Sequence, residues 1–599
     1  MPDWSYHTFF KPALFKLTPR KARSLTLQTM NRLVTLPFGH HIIEFFGHMA
    51  PSKAISAHIC GVETASPIGV SGQVDPKLEG TRALSKLGFG YLEVGPISLE
   101  PATKQEIVLH KKGEEIGYSH LHENLGVENT IDALSRSAPD IPVLIKISDE
   151  STGKIVTLIK KLEPFADWFV VDSTIDLPAI REATSTPIFV GVSDQKQLDE
   201  VEIEDFDGIY LPEGVHNRIG QFELETKIEM IKTVQPSGKP IIASGGVHQP
   251  SDALDLIDAG ADLVNIHSGF IFYGPGLPKR INEAIAYRYQ ESPLNQKGWF
   301  ASFLMGFGVL LAGFIASFVG LTDVLLAPDE RFLGMSKEEI QEFSEHLFKF
   351  MSHDRISLAG VMISAGFLYM MLAYFGIRVG QHWARKVFYI AATLGFLNFF
   401  YFIGFGYLDP IHLLYNALIL PFFIYGFIQT RNMPHGSHGQ NLHNSRAWRK
   451  SQFGQTMFII LGGAFLTAGM VISFIGVTDV FVKEDLGFLQ LEPNEIHEHN
   501  HQFISLIAHD RAGFGGALIS AGILIMLIAM WGFREGEKWI WWTLTVGGIP
   551  GFAAGIGIHY HIGYVDQYHL APAYFAILLY LLGVIYSYSY LMTAKRSPE

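Results

Sequence analysis

Apolar residues follow two different patterns along this chain, and the change comes near residue 298. Before that point, short apolar runs alternate with longer amphipathic stretches. The short runs predict buried parallel strands, and the amphipathic stretches predict helices that cover them. After that point, apolar runs long enough to span a bilayer are separated by short polar loops. The pattern therefore predicts an α/β half followed by an all-α polytopic membrane half.

The first half contains eight predicted strands, and a helical stretch separates most of them from the next. The strands span residues 67–71, 91–97, 143–148, 168–172, 188–192, 208–211, 241–244 and 263–267. Eight such units predict a TIM barrel, (β/α)8, in which ligands bind at the carboxyl ends of the strands.

A segment rich in aromatic and basic residues precedes the barrel and predicts two amphipathic helices, 18–34 and 38–48. An apolar helix face bordered by Lys and Arg suits a membrane surface. A helical cap packed on the barrel is the alternative, and the pattern alone does not separate the two.

Two glycine turns follow the last two predicted strands: Ser244-Gly245-Gly246 and Ser268-Gly269. Glycine lets the backbone turn tightly and brings its N–H groups close to a ligand. Two such turns side by side after strands seven and eight of a barrel make a phosphate cradle. An ordinary βαβ unit with glycines for packing is the alternative, and the presence of a pair of turns favours phosphate.

The second half contains eight predicted membrane spans. They cover residues 299–320, 356–377, 387–405, 411–430, 455–476, 512–533, 540–560 and 570–592. Lys and Arg are concentrated in alternate loops, and the positive-inside rule makes those loops cytoplasmic. We therefore expect a multi-pass protein of the plasma (inner) membrane, with the barrel and the C-terminus in the cytoplasm.

The spans form two groups of four that repeat each other in sequence. The repeated segments are GLTDV (320–324) and GVTDV (476–480), His353-Asp354-Arg355 and His509-Asp510-Arg511, and Gly406-Tyr407-Leu408-Asp409 and Gly563-Tyr564-Val565-Asp566. Because each copy crosses four times, the copies have the same orientation and form a parallel repeat.

The repeated polar residues predict ion pairs within each copy, Arg355 with Asp409 and Arg511 with Asp566. We favour this structural role over an outward site for a metal, a proton or a quinone head group. The histidines and carboxylates have no tight metal-ligand spacing, so the sequence predicts no metal site.

With 599 residues the chain is too long for one domain. We predict an N-terminal helical segment (1–51), the barrel (52–292), membrane repeat 1 (293–430), a cytoplasmic linker (431–453) and membrane repeat 2 (454–599). The net charge of −13 and the lack of a basic stripe argue against nucleic-acid binding. The single cysteine, Cys60, excludes an intramolecular disulfide.

Four segments carry a family resemblance: YHTFFKPALFKLTPRKARSLTLQTMNRL, PIGVSGQVDPKLEGTRALSKLGFGYLEVGPIS, HENLGVENTIDAL, and PIIASGGV with NIHSGFIFYGPGLPKRI. Over about residues 5–285 the chain resembles the membrane-associated, quinone-reducing class 2 dihydroorotate dehydrogenases. The resemblance implies a flavoprotein barrel that carries FMN, with N-terminal helices that form the quinone entry at the membrane. It implies a flavin phosphate on Ser244, Gly245, Gly246, Ser268 and Gly269, and an isoalloxazine ring along Ser71, Gly72 and Gly95.

The substrate end departs from that family. The motif after strand four is replaced by Val171-Asp172-Ser173-Thr174-Ile175-Asp176, which leaves Ser173 and Thr174 as candidate catalytic hydroxyls. The strand-five lysine is replaced by glycine, and strand six ends in Leu211-Pro212-Glu213-Gly214. Asn124 is the candidate substrate ligand that remains. Loss of a buried hydrogen-bonding set should abolish recognition of a polar ring such as dihydroorotate.

These observations predict an FMN-dependent oxidoreductase that passes electrons from a small-molecule substrate in the cytoplasm to a quinone in the membrane. One alternative is a degenerate flavin- or ligand-binding barrel that acts as the sensor or regulatory domain of a membrane transporter or receptor. A purely structural partner in a membrane complex is another.

Overall fold

The computed structural model describes residues 3–47, 49–102, 106–119, 123–148, 151–172, 176–193, 196–197, 205–214, 217–289, 297–398, 407–433 and 441–593. The chain forms two compact units. One comprises Met1–Gln290 with Ser437–Arg446, and the other comprises Glu291–Gly436 with Ala447–Glu599.

The first unit contains a closed, eight-stranded parallel barrel. Its strands are β1 Ile68–Val70, β2 Tyr91–Ile97, β3 Val143–Ile147, β4 Trp168–Asp172, β5 Ile188–Gly191, β6 Gly208–Leu211, β7 Ile241–Ser244 and β8 Leu263–Ile266. They follow one another in chain order around the barrel, and β8 closes it by pairing with β1. The predicted TIM barrel is confirmed, and each predicted strand agrees with an observed one to within a residue at either end.

The amino end of the barrel is filled by apolar and aromatic side chains. Trp168, Tyr91 and Phe189 are fully buried there and pack against a hairpin of Ala57–Ile59 and Val62–Thr64. The indole N–H of Trp168 donates to the carbonyl oxygen of Ile59 at 3.3 Å. Because this end is closed, the polar chemistry of the barrel lies at the carboxyl ends of the strands.

Helices cover the barrel and precede it. The two predicted amphipathic helices are present as α1 (Pro19–Thr35) and α2 (Gly39–Gly47). A small sheet of Ile107–His110, Glu115–Tyr118 and Arg218–Ile219 lies beside the barrel. The principal helices of this unit after α2 are Thr81–Leu84, Val127–Arg136, Thr152–Leu162, Leu177–Arg181, Leu224–Val234, Pro250–Ala259, Ser268–Tyr273 and Leu277–Arg288.

The second unit is helical. Its long helices are α3 Trp299–Leu321, α4 Glu345–Met371, α5 His382–Leu397, α6 Pro410–Gln429, α7 Arg446–Val477, α8 Gln502–Gly532, α9 Lys538–Ile562 and α10 Gln567–Leu591. In the part of the chain that the structure describes, six of these are long and apolar enough to cross a membrane, all except α5 and α9. The described part of α5 has 16 residues, and Gly, Trp, His and Pro interrupt the apolar sequence of α9. Spanning by these two helices stays a prediction.

The two repeats of this unit interlock. Helix α4 of repeat 1 packs along α9 of repeat 2, and α8 of repeat 2 packs along α5 of repeat 1. In both copies two short helices follow the first long helix: Ala327–Leu333 and Lys337–Phe343 in one, and Lys483–Leu489 and Pro493–His499 in the other.

The predicted ion pairs with Asp409 and Asp566 are wrong, because each arginine pairs with an aspartate of the other copy and with a different aspartate of its own copy. Arg355 Nε lies 2.9 Å from Asp510 Oδ2, and Arg511 Nε lies 3.4 Å from Asp354 Oδ2. Arg355 also pairs with Asp329 at 2.8 Å, and Arg511 pairs with Asp485 at 2.7 Å.

The carboxylates that the sequence assigned to these arginines cap helices instead. Asp409 accepts the backbone N–H of Ile411 at the start of α6, and Asp566 accepts that of His569 at the start of α10, each at 2.8 Å. The interlocking of the repeats brings residues of equal position in the two copies together, which explains the exchange of partners.

Candidate active site

Buried polar side chains meet at the carboxyl ends of four barrel strands. The Glu213 carboxylate, after β6, accepts the Ser71 hydroxyl at 2.6 Å and lies 2.8 Å from His267 Nδ1. Its second oxygen accepts the Ser244 hydroxyl at 3.4 Å. Ser71 and His267 directly follow buried strands, and Ser244 ends one, so the barrel itself positions these groups. One carboxylate thus bridges the ends of β1, β7 and β8.

His267 extends this network to Tyr118. Its Nε2 lies 2.8 Å from the Tyr118 hydroxyl. Because an ionised carboxylate can only accept, Nδ1 of His267 carries a proton and donates it to Glu213. Burial opposes the charge on Glu213, but the charge of His267 and hydrogen bonds from His267 and Ser71 outweigh it and hold the pKa of this carboxyl below its ordinary value.

A second buried carboxylate, Glu93 on β2, lies in the same network of charges. It accepts the Tyr210 hydroxyl at 2.8 Å and the Asn265 side-chain amide at 2.6 Å. Burial raises the pKa of Glu93; the charge of Lys146 lowers it, and the charge of Glu213 raises it further. Two carboxylates whose pKa values are displaced in opposite directions are candidates for general acid–base chemistry.

The two predicted glycine turns lie side by side. Strands β7 and β8 pair so that Ser244 lies opposite Asn265. Gly245 and Gly246 have φ values of +95° and +79°, which favour glycine. A Cβ atom on Gly269 would lie 1.9 Å from the carbonyl oxygen of Val247, so the two turns are in direct contact.

The donors of these turns test whether a phosphate group fits. Among the described residues, no acceptor contacts the backbone N–H of the buried Gly246 or of the buried Gly269. The Gly245 N–H donates to the Asn265 carbonyl at 3.3 Å, and the Ser268 hydroxyl lies 2.7 Å from His248 Nε2. Adjacent buried N–H groups without an acceptor are the donor set that a phosphate group requires.

A carboxylate borders the same turns on the other side. Glu223 accepts the N–H groups of Gly214 and Gly220 at 2.6 and 3.0 Å. A Cβ atom on Gly245 would lie 2.9 Å from Glu223 Oε2, and burial raises the pKa of Glu223. A phosphate group therefore fits on the N–H side of the turns. The carboxylate of Glu223 limits the space on the other side.

The structure separates the remaining predicted site residues into three groups. Gly72 and Gly95 are in contact, since a Cβ atom on Gly72 would lie 2.3 Å from the Gly95 carbonyl oxygen. Asn124 is buried, and its side-chain oxygen accepts the N–H of Gly126 at 2.8 Å, so it stabilises its own loop. Ser173 and Thr174 lie outside the described residues.

The sequence did not predict the charged network as a site. Its members are Glu93, Tyr118, Lys146, Tyr210, Glu213 and His267. For Glu213 and His267 the available signal was position, because a polar residue that follows a buried barrel strand lies at the functional end. Glu213 was noted only as a departure from a family motif.

An apolar cavity of about 120 Å³ adjoins the network beneath α1. Leu27 and Met30 of α1 line one side, and Leu109 and Ile116 of the small sheet line another. Tyr118, which contacts His267, also lines this cavity. The cavity therefore connects the apolar face of α1 with the polar network of the barrel.

Comparison with known proteins gives a consistent result for this half of the chain. The family model described as Dihydroorotate dehydrogenase matches residues 220–288. Dihydroorotate dehydrogenase (quinone) of Cronobacter sakazakii is 24% identical over 337 residues, which are 46% of this chain and 98% of the relative. The protein of the same name from Chloroflexus aurantiacus is 23% identical over 356 residues, which are 47% and 96% of the two chains.

Among solved structures, DHODH from Eimeria tenella in complex with ferulenol matches with a TM-score of 0.35 and 17% identity, covering 43% of this chain and 93% of that chain. About half of this chain is therefore similar in sequence to nearly the whole length of quinone-type dihydroorotate dehydrogenases. The family match lies within the barrel unit.

Proposed function

We propose that the barrel is an FMN-dependent oxidoreductase domain of the dihydroorotate dehydrogenase type, which passes electrons from a small-molecule substrate in the cytoplasm to a membrane quinone. The pair of adjacent glycine turns carries this proposal, because the N–H groups of Gly246 and Gly269 are buried there without an acceptor among the described residues. The similarity to quinone-type relatives supports it. When bound, the flavin supplies the redox chemistry.

Residues of the two turns would hold the phosphate: Ser244, Gly245, Gly246, Ser268 and Gly269. Ser71, Gly72 and Gly95 would border the ring. We assign the proton-accepting role to Glu213 because its carboxylate lies at the strand ends and its lowered pKa keeps it ionised. His267 positions this carboxylate at 2.8 Å. The hydroxyls of Ser173 and Thr174 stay candidates for the same role.

The substrate that fits this site is not dihydroorotate. The carboxylate of Glu213, whose lowered pKa keeps it ionised, lies at the barrel end, and like charges repel an anionic substrate. A neutral or cationic reduced compound suits this carboxylate better. We expect dihydroorotate-dependent quinone reduction to fall below that of a true dihydroorotate dehydrogenase by a factor of about 10²–10⁴. Robust turnover of dihydroorotate by the purified chain would contradict this.

The quinone would enter beneath the N-terminal helices. Helix α2 exposes the large apolar side chains Ile42, Phe45 and Phe46, as a helix at a membrane surface does. The apolar cavity below α1 is lined by Leu27 and Met30 and reaches Tyr118. The protein would then contact membrane lipid and lie in the plasma membrane, with the barrel in the cytoplasm.

The test is the visible spectrum of the full chain purified in detergent. Wild type should show flavin absorption, and Gly245→Asp should lose it, because the new carboxylate adds a negative charge beside the N–H groups and near Glu223. Gly238→Asp is the matched control: its φ is +71°, so the backbone strain is similar, and nothing lies within 4 Å of the new Cβ.

Wild-type protein without flavin absorption after incubation with FMN would refute the cofactor assignment. Equal flavin content in the Gly245→Asp and Gly238→Asp proteins would refute the assigned cradle. Size-exclusion chromatography of both variants separates loss of flavin from loss of folding.

A second candidate function also has a specific observation in its favour. The Glu213 carboxylate joins Ser71 to Ser244 across the barrel end, so the chain's own side chains bridge the strand ends where a ligand would lie. This favours a degenerate flavin- or ligand-binding barrel that acts as the sensor or regulatory domain of a membrane transporter or receptor. Flavin binding without reduction by any reduced donor would support the sensor over the enzyme.

A further inference from the structure

Three histidines from three different helices of the second unit lie together. They are His353 of α4, His559 of α9 and His569 of α10. One side-chain nitrogen of each lies within 4.8 Å of one nitrogen of each of the others. The Nε2 atoms of His353 and His559 are 3.0 Å apart. Both of these side chains are buried, and His569 is half-buried.

The outer nitrogens of the first two rings face hydrogen-bond acceptors. His353 Nδ1 lies 2.9 Å from an Asp354 carboxylate oxygen, and His559 Nδ1 lies 2.7 Å from the Gly555 carbonyl oxygen. Because these oxygens accept, each Nδ1 carries the ring proton and each Nε2 carries a lone pair. Two lone pairs 3.0 Å apart repel each other unless a cation lies between them.

His569 has the same arrangement. Its Nδ1 lies 3.2 Å from the Tyr564 hydroxyl, and that hydroxyl donates its own proton to Asp485 at 2.9 Å. The hydroxyl oxygen therefore accepts from His569 Nδ1, which leaves the lone pair on Nε2. A single proton can join only two of the three nitrogens, whereas a metal ion uses all three. A second N–H donated to a carboxylate, carbonyl or hydroxyl oxygen is the usual support of a metal-bound histidine.

A large cavity, about 1090 Å³ in volume, adjoins the cluster. Its walls are mostly apolar residues of α4, α7, α8, α9 and α10, and the three histidines lie on it together with Asp354 and Arg511. Three protein ligands with one position open to a cavity are typical of a catalytic metal site, whereas structural sites are closed by four.

We propose that His353, His559 and His569 bind one divalent first-row transition-metal ion, with an open coordination position that faces this cavity. Imidazole nitrogens suit Zn²⁺ and the neighbouring metals of that row. The cavity would admit a largely apolar molecule whose polar group reaches the metal. This inference concerns the membrane unit alone and does not depend on the flavin proposal.

The first repeat lacks one member of this set. The repeat relates His353 to His509 and His569 to His412, whereas the residue that corresponds to His559 is Phe402. Phe402 lies outside the described residues. The rings of His412 and His509 are 5.2 Å apart between centroids. The fold of a repeat therefore does not require the third histidine. The corresponding position in the first repeat, which has only His412 and His509, serves as a comparison.

Metal binding by the full chain in detergent tests the proposal. After treatment with EDTA and removal of the chelator, the protein is equilibrated with Zn²⁺ alone or Co²⁺ alone, and metal content is measured by elemental analysis. Wild type should bind about one equivalent tightly, as a histidine site of this kind does. His559→Phe, which installs the residue of the first repeat, should lose this equivalent, and His509→Phe should keep it.

A conservative variant protects the test against misfolding. Tyr564→Phe removes the hydroxyl that holds His569 and should weaken Zn²⁺ binding about 10–100-fold, as loss of a supporting hydrogen bond commonly does. If wild type binds neither ion, or if His559→Phe binds as much metal as wild type, the histidines share a proton and the proposal is wrong.

Discussion

Glu213 shows how one residue determines the chemistry of the barrel end. Its carboxylate is 7% exposed and contacts three donors that come from three different strand ends. Breaking a buried pair from one side leaves an uncompensated polar group, which costs about 3 kcal/mol. The network therefore stabilises the fold as well as holding an ionised carboxylate at the site.

We expect Glu213→Gln to lower the stability of the full chain by about 3 kcal/mol at pH 7. Because the folded pKa of Glu213 is lowered, its contribution is present above the unfolded value of about 4.3 and is lost as the pH falls through the folded value. The difference in unfolding free energy between wild type and variant should therefore decrease below about pH 4. Thermal unfolding in detergent between pH 3 and 7 measures it.

Glu128→Gln is the control for this prediction. The Glu128 side chain is 72% exposed and pairs with Lys161 on the surface, so its loss should cost less than about 1 kcal/mol at any pH. If the difference in unfolding free energy between wild type and Glu213→Gln is constant over the whole pH range, the carboxylate charge does not stabilise the network.

At the residue scale, the sequence predicted the positions of Ser71, Ser244 and the glycine turns at strand ends, because each belongs to a short motif there. Their role as a cofactor site stays a prediction. The contact between Glu213 and His267 joins residues 54 positions apart, and neither residue belongs to a motif with the other. The two side chains meet only because the barrel closes, and the spacing of residues along the sequence does not show this contact.

Whole elements were predictable where their pattern is local. All eight barrel strands were predicted because a buried parallel strand is a short apolar run, and β2, β4, β6 and β7 agree with the prediction in both bounds. The pairing of Arg355 was predicted wrongly for the opposite reason. A sequence repeat shows which residues are copies of each other, but not which copy packs against which.

Close crossings of the membrane helices recur in both repeats. A Cβ atom on Gly366 of α4 would lie 2.4 Å from the backbone nitrogen of Leu310, and one on Gly522 of α8 would lie 2.7 Å from the carbonyl oxygen of Gly462. Small residues at such points let helix backbones approach closely in a membrane. Backbone contact therefore holds helices together within each repeat, and the crossed ion pairs join the two repeats.

Adjacent glycines on α7 give a matched test of this packing. A Cβ atom on Gly462 would lie 2.6 Å from the Gly522 carbonyl oxygen, whereas nothing lies within 4 Å of one on Gly463. Gly462→Ala should destabilise the full chain by about 1–3 kcal/mol, because the helices must separate. Gly463→Ala should be neutral or stabilise it by about 0.5–1 kcal/mol through helix propensity. Equal thermal stability of the two variants in detergent would contradict the close crossing.

The two units of the molecule are stabilised in different ways. The barrel unit has a buried apolar core, and its sequence is similar to quinone-type dihydroorotate dehydrogenases over 46% of the chain. The second unit exposes large apolar residues along its helices, as lipid-facing surfaces do. The change in hydropathy near residue 298 predicts a boundary there; the two compact units divide after Gln290, and Ser437–Arg446 belongs to the first unit.

The number of membrane crossings determines on which side each loop lies. If α5 and α9 span, as the sequence predicts, residues 338 and 498 lie on the side opposite the barrel, and residue 431 lies on the barrel side. If only the six long apolar helices span, residues 431 and 498 exchange sides while residue 338 does not move. The positive charge of Arg431 favours the cytoplasm and hence eight crossings.

Labelling of single introduced cysteines measures the side on which each loop lies. Cys60 is the only natural cysteine, so Cys60→Ser removes the background labelling. Glu338→Cys, Arg431→Cys, Glu498→Cys and, on the barrel unit, Lys53→Cys all replace exposed residues. A membrane-impermeant maleimide should label the cysteines at 338 and 498 in intact cells, and those at 53 and 431 only after permeabilisation. Labelling at 431 but not at 498 in intact cells would reduce the crossings to six. Labelling at 53 would place the barrel outside the cytoplasm, where a cytoplasmic electron donor could not reach Glu213.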